Sequence, residues 1–472
     1  VFKQKYVFLE KNNKIEPSYL CTVIKKIMNF QLFKTLVGSC LLLVFLWPFT
    51  GAAQISLEAP ISIDSAWHLA DSNSKKIAAS ELAVKISHVR LKTAKDERLP
   101  EVSVNGQYAY VFNMPVYEDG LFHSPKQFPV DRKYYKAGAE AYLNIYNGGK
   151  TSRGIQYAKK EEEMMEVEHH QTSADIHFNV VVLYYDVYRN LAYRKLLQQD
   201  IKEREKQLEE IKQLYAHGTV LKSDVLRAEL RLSQQQMLLV EINNSIQIAS
   251  QKLNILTGRP DNAQVNISTD SIEVAASALH QLEDYLAIAA NQSFKGVLSK
   301  KERELRLLKL KQVKSNTLPR IGFFAEYGYG YPQIQFYPYS LALYGSGMAG
   351  IKLSIPISAH YTNKSKVQEA NLQLKQQEIT VNDTYDDIRQ EVKEAYLRCT
   401  EALERIEVAK KNIHQAAESY RIVKNTYFNQ LSLLTDFLDA ETQLLQSQFE
   451  LTTAQANARV QYYKLQKTLG NL

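Results

Sequence analysis

The sequence predicts an α+β protein, internally duplicated, with two β-strands and a pair of very long helices in each half. Three observations predict it. One order of elements runs through the chain twice, four segments alternate apolar and polar residues, and long stretches pass with almost no Gly or Pro. The composition agrees. Of 472 residues, 45% are hydrophobic and 23% charged, a globular balance that excludes disorder. Only 18 Gly and 12 Pro punctuate the chain, which favours long elements.

The first segment reads as an address. Lys25 and Lys26 precede Met28, Lys34 precedes the apolar run Leu36–Phe49, and Thr50-Gly51-Ala52-Ala53 follows. That is a signal peptide over 28–53, cut after Ala53, with 1–27 an upstream extension of the reading frame. A membrane-spanning helix needs about 20 apolar residues, and Pro48 ends this run too early. A lipoprotein signal at Val37-Gly38-Ser39-Cys40 would place the apolar run on the wrong side of its cysteine. Residues 1–53 carry seven Lys against two Glu, most of the net charge of +7. The remainder is nearly neutral, so no nucleic-acid partner is expected. Removing the leader also removes Cys21 and Cys40, leaving Cys399 with no disulfide or thiolate-metal partner.

Residues 54–472 form one unit written twice, about 58–260 and 280–472. Leu99-Pro100 and Leu318-Pro319 open matching segments. Downstream, Ser223-Asp224-Val225-Leu226 matches Thr435-Asp436-Phe437-Leu438, and Gly258 matches Gly470. A period this long indicates duplication of a domain rather than a solenoid.

Strands are expected near 100–113, 133–146, 318–331 and 343–357. In the first, Val102, Val104, Tyr108, Tyr110 and Phe112 alternate with Ser103, Asn105 and Gln107. In the second, Tyr135, Ala137, Ala139, Ala141, Leu143 and Ile145 alternate with Lys136, Glu140 and Asn144. Ile321, Phe323, Ala325, Tyr327, Tyr329 and Tyr331 repeat the pattern in the third. Leu343 to Ile355 repeats it in the fourth. Period two with tyrosines near the ends suits a membrane β-strand and equally a soluble sandwich strand. Four strands cannot close a barrel, since the smallest membrane barrels use about eight. An open edge in lipid costs several kcal/mol per unpaired group, so strands in a membrane would have to be pooled from several chains.

Helical hairpins are expected near 148–258 and 360–470. Between Gly148 and Ala216 there is no Pro and Gly only at 149 and 154; from Tyr361 to Gln430 there is neither. Each long helix could run roughly 65 residues, or about 100 Å. Ile211, Leu214 and Tyr215 in one, and Val408, Ile413, Ala417, Tyr420, Val423 and Tyr427 in the other, recur at coiled-coil spacing. Charged runs such as Lys202 to Lys206 fill the remaining positions.

Signal peptide, duplication, two strands per half and paired helices of this length together resemble the TolC-like outer membrane efflux protein family. The resemblance implies a homotrimer whose three chains pool twelve strands into one β-barrel in outer-membrane lipid. Long coiled-coil helices would continue it as a hollow α-helical barrel across the periplasm. Segments near 55–66 and 258–282 would form a belt around the middle. It also implies an exit channel of a tripartite efflux or type I secretion system. Its partners would be a periplasmic adaptor (membrane fusion) protein and an inner-membrane pump.

The two turns carry the closest matches. Asp436 and Asp439 resemble the family's paired aspartates at the constricted periplasmic entrance. Residues at i and i+3 share a helix face. Threefold repetition would put six carboxylates around a narrow pore and favour cations. Alternatively, Asp436 caps the returning helix and Asp439 sits solvated in its first turn. The resemblance further implies a latch between the turns, in which Tyr427 bonds to Asp224. The latch arginine of the family is Ser432 here, which puts one bond in doubt. His217, Gly218 and Thr219 resemble the adaptor-contact tip, although Gly218 also fits a helix C-cap. Its counterpart in the second turn is Gln430.

No catalytic constellation is present, and no cofactor or metal is expected. Gly345 to Gly350 matches GxGxxG but lies inside an alternating strand rather than between strand and helix. His169, His170 and His177 fall on a charged helix without a zinc motif and read as a solvated face. Two rival functions are an exported coiled-coil rod or adhesin without a pore, and a soluble periplasmic enzyme.

Overall fold

In a computed structural model, residues 60–128, 130–267, 280–333 and 340–472 are described. The expected signal peptide and the start of the belt lie outside them, as does much of 258–282. The described residues fall in one compact unit.

The first half opens with α1 (Ile63–Asn73) and α2 (Lys75–Asp96). Ser62 and Ser74 cap their N-termini, accepting from the Ser65 and Ile77 amides. Strand β1 (Glu101–Tyr110), a small hairpin β2 (Met114–Val116) and β3 (Lys126–Phe128), and β4 (Lys133–Asn147) follow. Then come α3 (Lys150–Ala216) and α4 (Lys222–Thr257). The second half repeats the order as α5 (Leu282–Gln292), α6 (Phe294–Lys314), β5 (Arg320–Tyr331), β6 (Tyr344–Ser354), α7 (Ala359–Phe428) and α8 (Leu434–Leu469). Helices α3 and α7 contain 67 and 70 residues, so each is about 100 Å long. Among the described residues no helix is long and apolar enough to cross a membrane.

The long helices pack as two antiparallel pairs, α3 on α4 and α7 on α8, joined by α3 against α8. That leaves α4 and α7 on the flanks. Both flanks carry exposed apolar stripes, Leu226, Leu230, Met237, Ile248 and Ile255 on α4, and Leu372, Ile379, Leu397, Val408 and Ile422 on α7. Their spacing keeps each set on one face, as in a coiled-coil seam lacking its partner. Helices α2 and α6 lie on α3 and α7. Ile61 bridges to Ile267, bringing the two described belt segments together.

The four strands form one antiparallel sheet in the order β1-β4-β5-β6, so β4 and β5 join the halves and β1 and β6 are bare edges. Val102, Ala141, Ala325 and Ala349 align across one face. At one end of that face Tyr108, Tyr135 and Tyr331 align, with the last two rings stacked at 4.9 Å. Glu140 and Glu326 oppose each other on the other face. The pattern is an apolar band with a tyrosine margin, backed by a polar surface.

The expected alternation fails at one place. A register shift between Asn144 and Tyr146 leaves Ile145 unpaired and brings Tyr146 opposite Ile321. The glycines of the GxGxxG match have a packing explanation. A Cβ on Gly347 would lie 2.6 Å from the Tyr327 ring, and one on Gly345 would lie 3.0 Å from the Tyr327 hydroxyl. Tyrosines of β5 lie over bare backbone of β6, which no dinucleotide loop requires.

Candidate functional site at the paired helix turns

The two turns share one backbone plan. Helix α3 ends at Ala216, His217 is its C-cap, and Gly218 follows with φ of 75°. The Thr219 amide donates to Leu214 O at 3.0 Å and the Gly218 amide to Tyr215 O at 2.9 Å. In the second turn Gln430 takes the same place with φ of 64°, and the Leu431 amide donates to Thr426 O at 2.8 Å. Both are left-handed residues one past the last helical cap, in the capping motif that satisfies helix-end carbonyls. The C-cap reading of Gly218 therefore holds. His217, Gly218 and Thr219 are all exposed.

The returning helices also start alike. Leu221 and Leu433 are extended N-caps, and Asp224 and Asp436 sit three residues later. Here the halves diverge. Asp224 accepts from the Leu221 amide at 3.3 Å. Asp436 is exposed, and α8 has no side-chain cap, so the capping alternative for Asp436 is not realised. Asp439 is exposed on the same face, 3.9 Å from Arg231 on α4.

An aromatic core lies between the hairpins. Phe437 is fully buried among Ile211, Val225, Ala228, Leu434 and Leu438. The Tyr427 ring stacks on Phe437 at 5.3 Å and 7°, and Tyr420 stacks on it at 5.8 Å. The expected latch is not made in this conformation. The buried Tyr427 hydroxyl has no hydrogen-bond partner among the described residues. Burial, with the Asp224 charge added, pushes its pKa up. Ser432 accepts from Thr426 Oγ1 at 3.1 Å and donates to Val423 O at 3.5 Å, so it stays within its own turn.

One cluster near the tip was missed by sequence reasoning. Arg204 on α3 is 4% exposed; its Nε donates to Asp200 Oδ2 at 2.7 Å, and its Nη1 lies 2.7 Å from Glu441 Oε2 on α8. Asp200 and Glu441 are buried too. The Glu441 contact is out of hydrogen-bond alignment, and Arg204 Nη2 and Glu441 Oε1 have no partner. Burial pushes the Glu441 carboxyl up to about 6 despite the Arg204 charge. Asp200 is raised for the same reason. Beside them Gln207 donates to the Tyr420 hydroxyl at 3.3 Å. The signal was available. Leu197, Ile201, Leu208 and Ile211 trace the inner seam of α3, and Arg204 stands on that seam amid residues that read as a charged outer run.

Two other sequence features resolve here. The histidines are not simply a solvated face, because His177 Nε2 lies 2.8 Å from Asp71 and its ring stacks on Trp67. His169 Nδ1 contacts Ser80 at 2.8 Å, while His170 is exposed. His177 docks α1 and His169 docks α2 onto α3. Among the described residues no group of three His, Cys, Asp or Glu could hold a metal. Cys399 is fully buried in α7, its thiol pushed up to about 11 by burial, so it is an unreactive core residue.

Residues 66–259 and 287–471 match the family model described as outer membrane efflux protein, one match for each half. No curated protein matches by sequence. Among solved structures, the outer-membrane channel OprN superposes with a TM-score of 0.72 at 13% identity, covering 87% of this chain and 90% of that one. The outer membrane protein VceC of Vibrio cholerae gives 0.70 at 17% identity, over 86% and 96%. The Campylobacter jejuni CmeC outer membrane channel gives 0.69 at 14%, over 87% and 85%. At such identities the likeness is one of fold.

Proposed function

The chain belongs to the outer membrane efflux protein family, and from that premise we propose that three copies form the passive, tip-gated exit duct of a tripartite efflux or type I secretion system. The family makes it an outer-membrane efflux channel and not an enzyme.

The observation that carries the trimer is the sheet. Four strands with an apolar, tyrosine-margined face leave β1 and β6 unpaired, and a sheet edge in lipid is untenable. Pairing β6 of each chain with β1 of the next closes twelve strands and removes every edge. The same threefold arrangement covers the apolar stripes on α4 and α7 and continues the duct as an α-helical barrel. A coiled-coil rod without a pore has no use for such a sheet.

The periplasmic end supplies the gate. Exposed Asp436 and Asp439, threefold repeated, ring the entrance and favour cations. Tyr427 faces Asp224 and Ser432 holds its own turn, so any latch is weaker than a bonded pair. His217, Gly218 and Thr219 offer an exposed tip to the adaptor, which links the duct to the inner-membrane pump. Energy and solute choice lie with the pump.

Planar-bilayer conductance of the detergent-extracted trimer tests this. Cation-selective pores, with selectivity and multivalent-cation block weakened in the Asp436→Asn/Asp439→Asn double variant, are expected. Pores indifferent to both substitutions would move the gate elsewhere. A folded trimer that forms no pore would defeat the channel reading.

A further inference from the structure

We propose that Arg204, buried between Asp200 on its own helix and Glu441 on α8, is a bolt that couples the two tip hairpins of one chain, and that its contact with Glu441 must loosen before the hairpin bearing Asp436 and Asp439 can swing away. The inference rests on the tip-gate reading above and names positioning residues for it.

Three observations carry it. First, the turn residues do not tie the hairpins together in this conformation: Tyr427 has a free hydroxyl and Ser432 bonds inward. Among the described residues, polar contacts across the hairpins near the tip include Arg204–Glu441 at 2.7 Å, Gln207–Tyr420 at 3.3 Å and Arg231–Asp439 at 3.9 Å, and the Gln207 amide also favours the Glu441 carboxylate. Of these, the first joins two buried charges and the third is exposed. Second, the device exists once despite the duplication. Glu229, the counterpart of Glu441, sits at the surface opposite Lys212, and the counterpart of Arg204 is Ala416. A contact made once, between unlike hairpins, discriminates their relative position. Third, one guanidinium faces two buried carboxylates, with Nη2 and Oε1 left unpaired. Such a cluster is costly to keep dry and is relieved by water.

The excess carboxylate gives the bolt a pH sense. The groups facing Glu441 are Arg204, Asp200, Glu203 and Gln207 of α3, with Tyr420 of α7 opposite; Arg231 of α4 faces Asp439 instead. The packed tip holds the Glu441 proton up to about 6, against 4.5 for an ordinary glutamate. A hydrated, loosened tip would hold it less tightly. Acid therefore favours the packed tip, and that preference is lost as pH rises through about 4.5 to 6.

The test is the open fraction of single channels in planar bilayers as a function of pH, for trimers checked by their migration and circular dichroism. Wild type is expected to open more as pH rises through that window. Glu441→Gln, which mimics the protonated acid, should stay as closed as wild type in acid and lose the pH step. Arg204→Met leaves two carboxylates unopposed and should raise the open fraction about tenfold at neutral pH, with Arg204→Lys largely restoring it. The Asp436→Asn/Asp439→Asn variant should keep the pH step. A wild-type open fraction in Arg204→Met, or a retained pH step in Glu441→Gln, overturns the bolt. Should Arg204→Met fail to trimerise, the Glu441→Gln profile decides alone. Pores that answer to the aspartates but to neither Arg204 nor Glu441 defeat only this inference; wild-type trimers without pores defeat the gate reading as well.

Discussion

The turn between α3 and α4 and the turn between α7 and α8 have nearly the same backbone and different chemistry. Both end a helix in a left-handed residue, run through an extended leucine and place an aspartate in the first turn of the returning helix. Yet the first uses Gly218 where the second uses Gln430. Asp224 is spent on its own helix end while Asp436 is left free. Val225 of the first turn is matched by Phe437, around which the core of both hairpins is built. Duplication has kept the hydrogen-bonded frame, because an unsatisfied helix end is costly in either copy. It has released the side chains: the first turn spends its aspartate on a helix end, while the second carries the central core ring and an exposed aspartate.

Phe437 sharpens that contrast most. Phe437→Ala should destabilise the tip by about 3–5 kcal/mol, with a smaller loss for Val225→Ala, read from thermal or denaturant unfolding of the purified protein. Equal losses would mean the turns share the load. The caps come next. Gly218→Ala should cost about 1–2 kcal/mol, from the left-handed backbone alone, because no atom lies within reach of the added Cβ. Gln430→Gly should instead gain up to about 1 kcal/mol. A loss there would show that the Gln430 side chain has work of its own, and adaptor pull-down with the same two variants would test the adaptor contact proposed for this tip.

The aspartates should separate cleanly. Asp224→Ala should cost about 1 kcal/mol as a lost helix-end bond. Asp436→Asn should leave stability nearly unchanged, because the carboxylate is exposed, while altering ion selectivity in planar bilayers, as the proposed gate requires. Tyr427→Phe is the smallest expected change. Removing a buried hydroxyl without a partner should leave stability within about 0.5 kcal/mol or raise it slightly. A marked rise in open-channel conductance in that variant would mean that the Tyr427–Asp224 bond forms in another state of the tip.

Much of this architecture was legible in the sequence. The four strands, the two long helices and both turns fall where period two, the absence of Gly and Pro, and the paired Ser-Asp and Thr-Asp motifs place them. What misled was local. Ile145 continues the alternation in sequence, but a bulge takes it out of register, and a one-residue insertion leaves no mark in composition. His177 looked solvated because its partners, Trp67 and Asp71, are about a hundred residues away. Arg204 looked like one more surface charge in a charged run.

Sequence alone determined the duplication, the lengths of the elements, the apolar face of the sheet and the pairing of the two turns. Those properties are written in local periodicity, which acts within a few residues. The tertiary structure decided which side chains meet: that Tyr427 packs on Phe437 rather than bonding to Asp224, that Asp436 is free while Asp224 is not, and that Arg204 points inward to Glu441. Those outcomes depend on the rotation and stagger of helices from opposite halves of the chain. A helix face is fixed by its own sequence, but what stands opposite it is fixed by how two such faces dock.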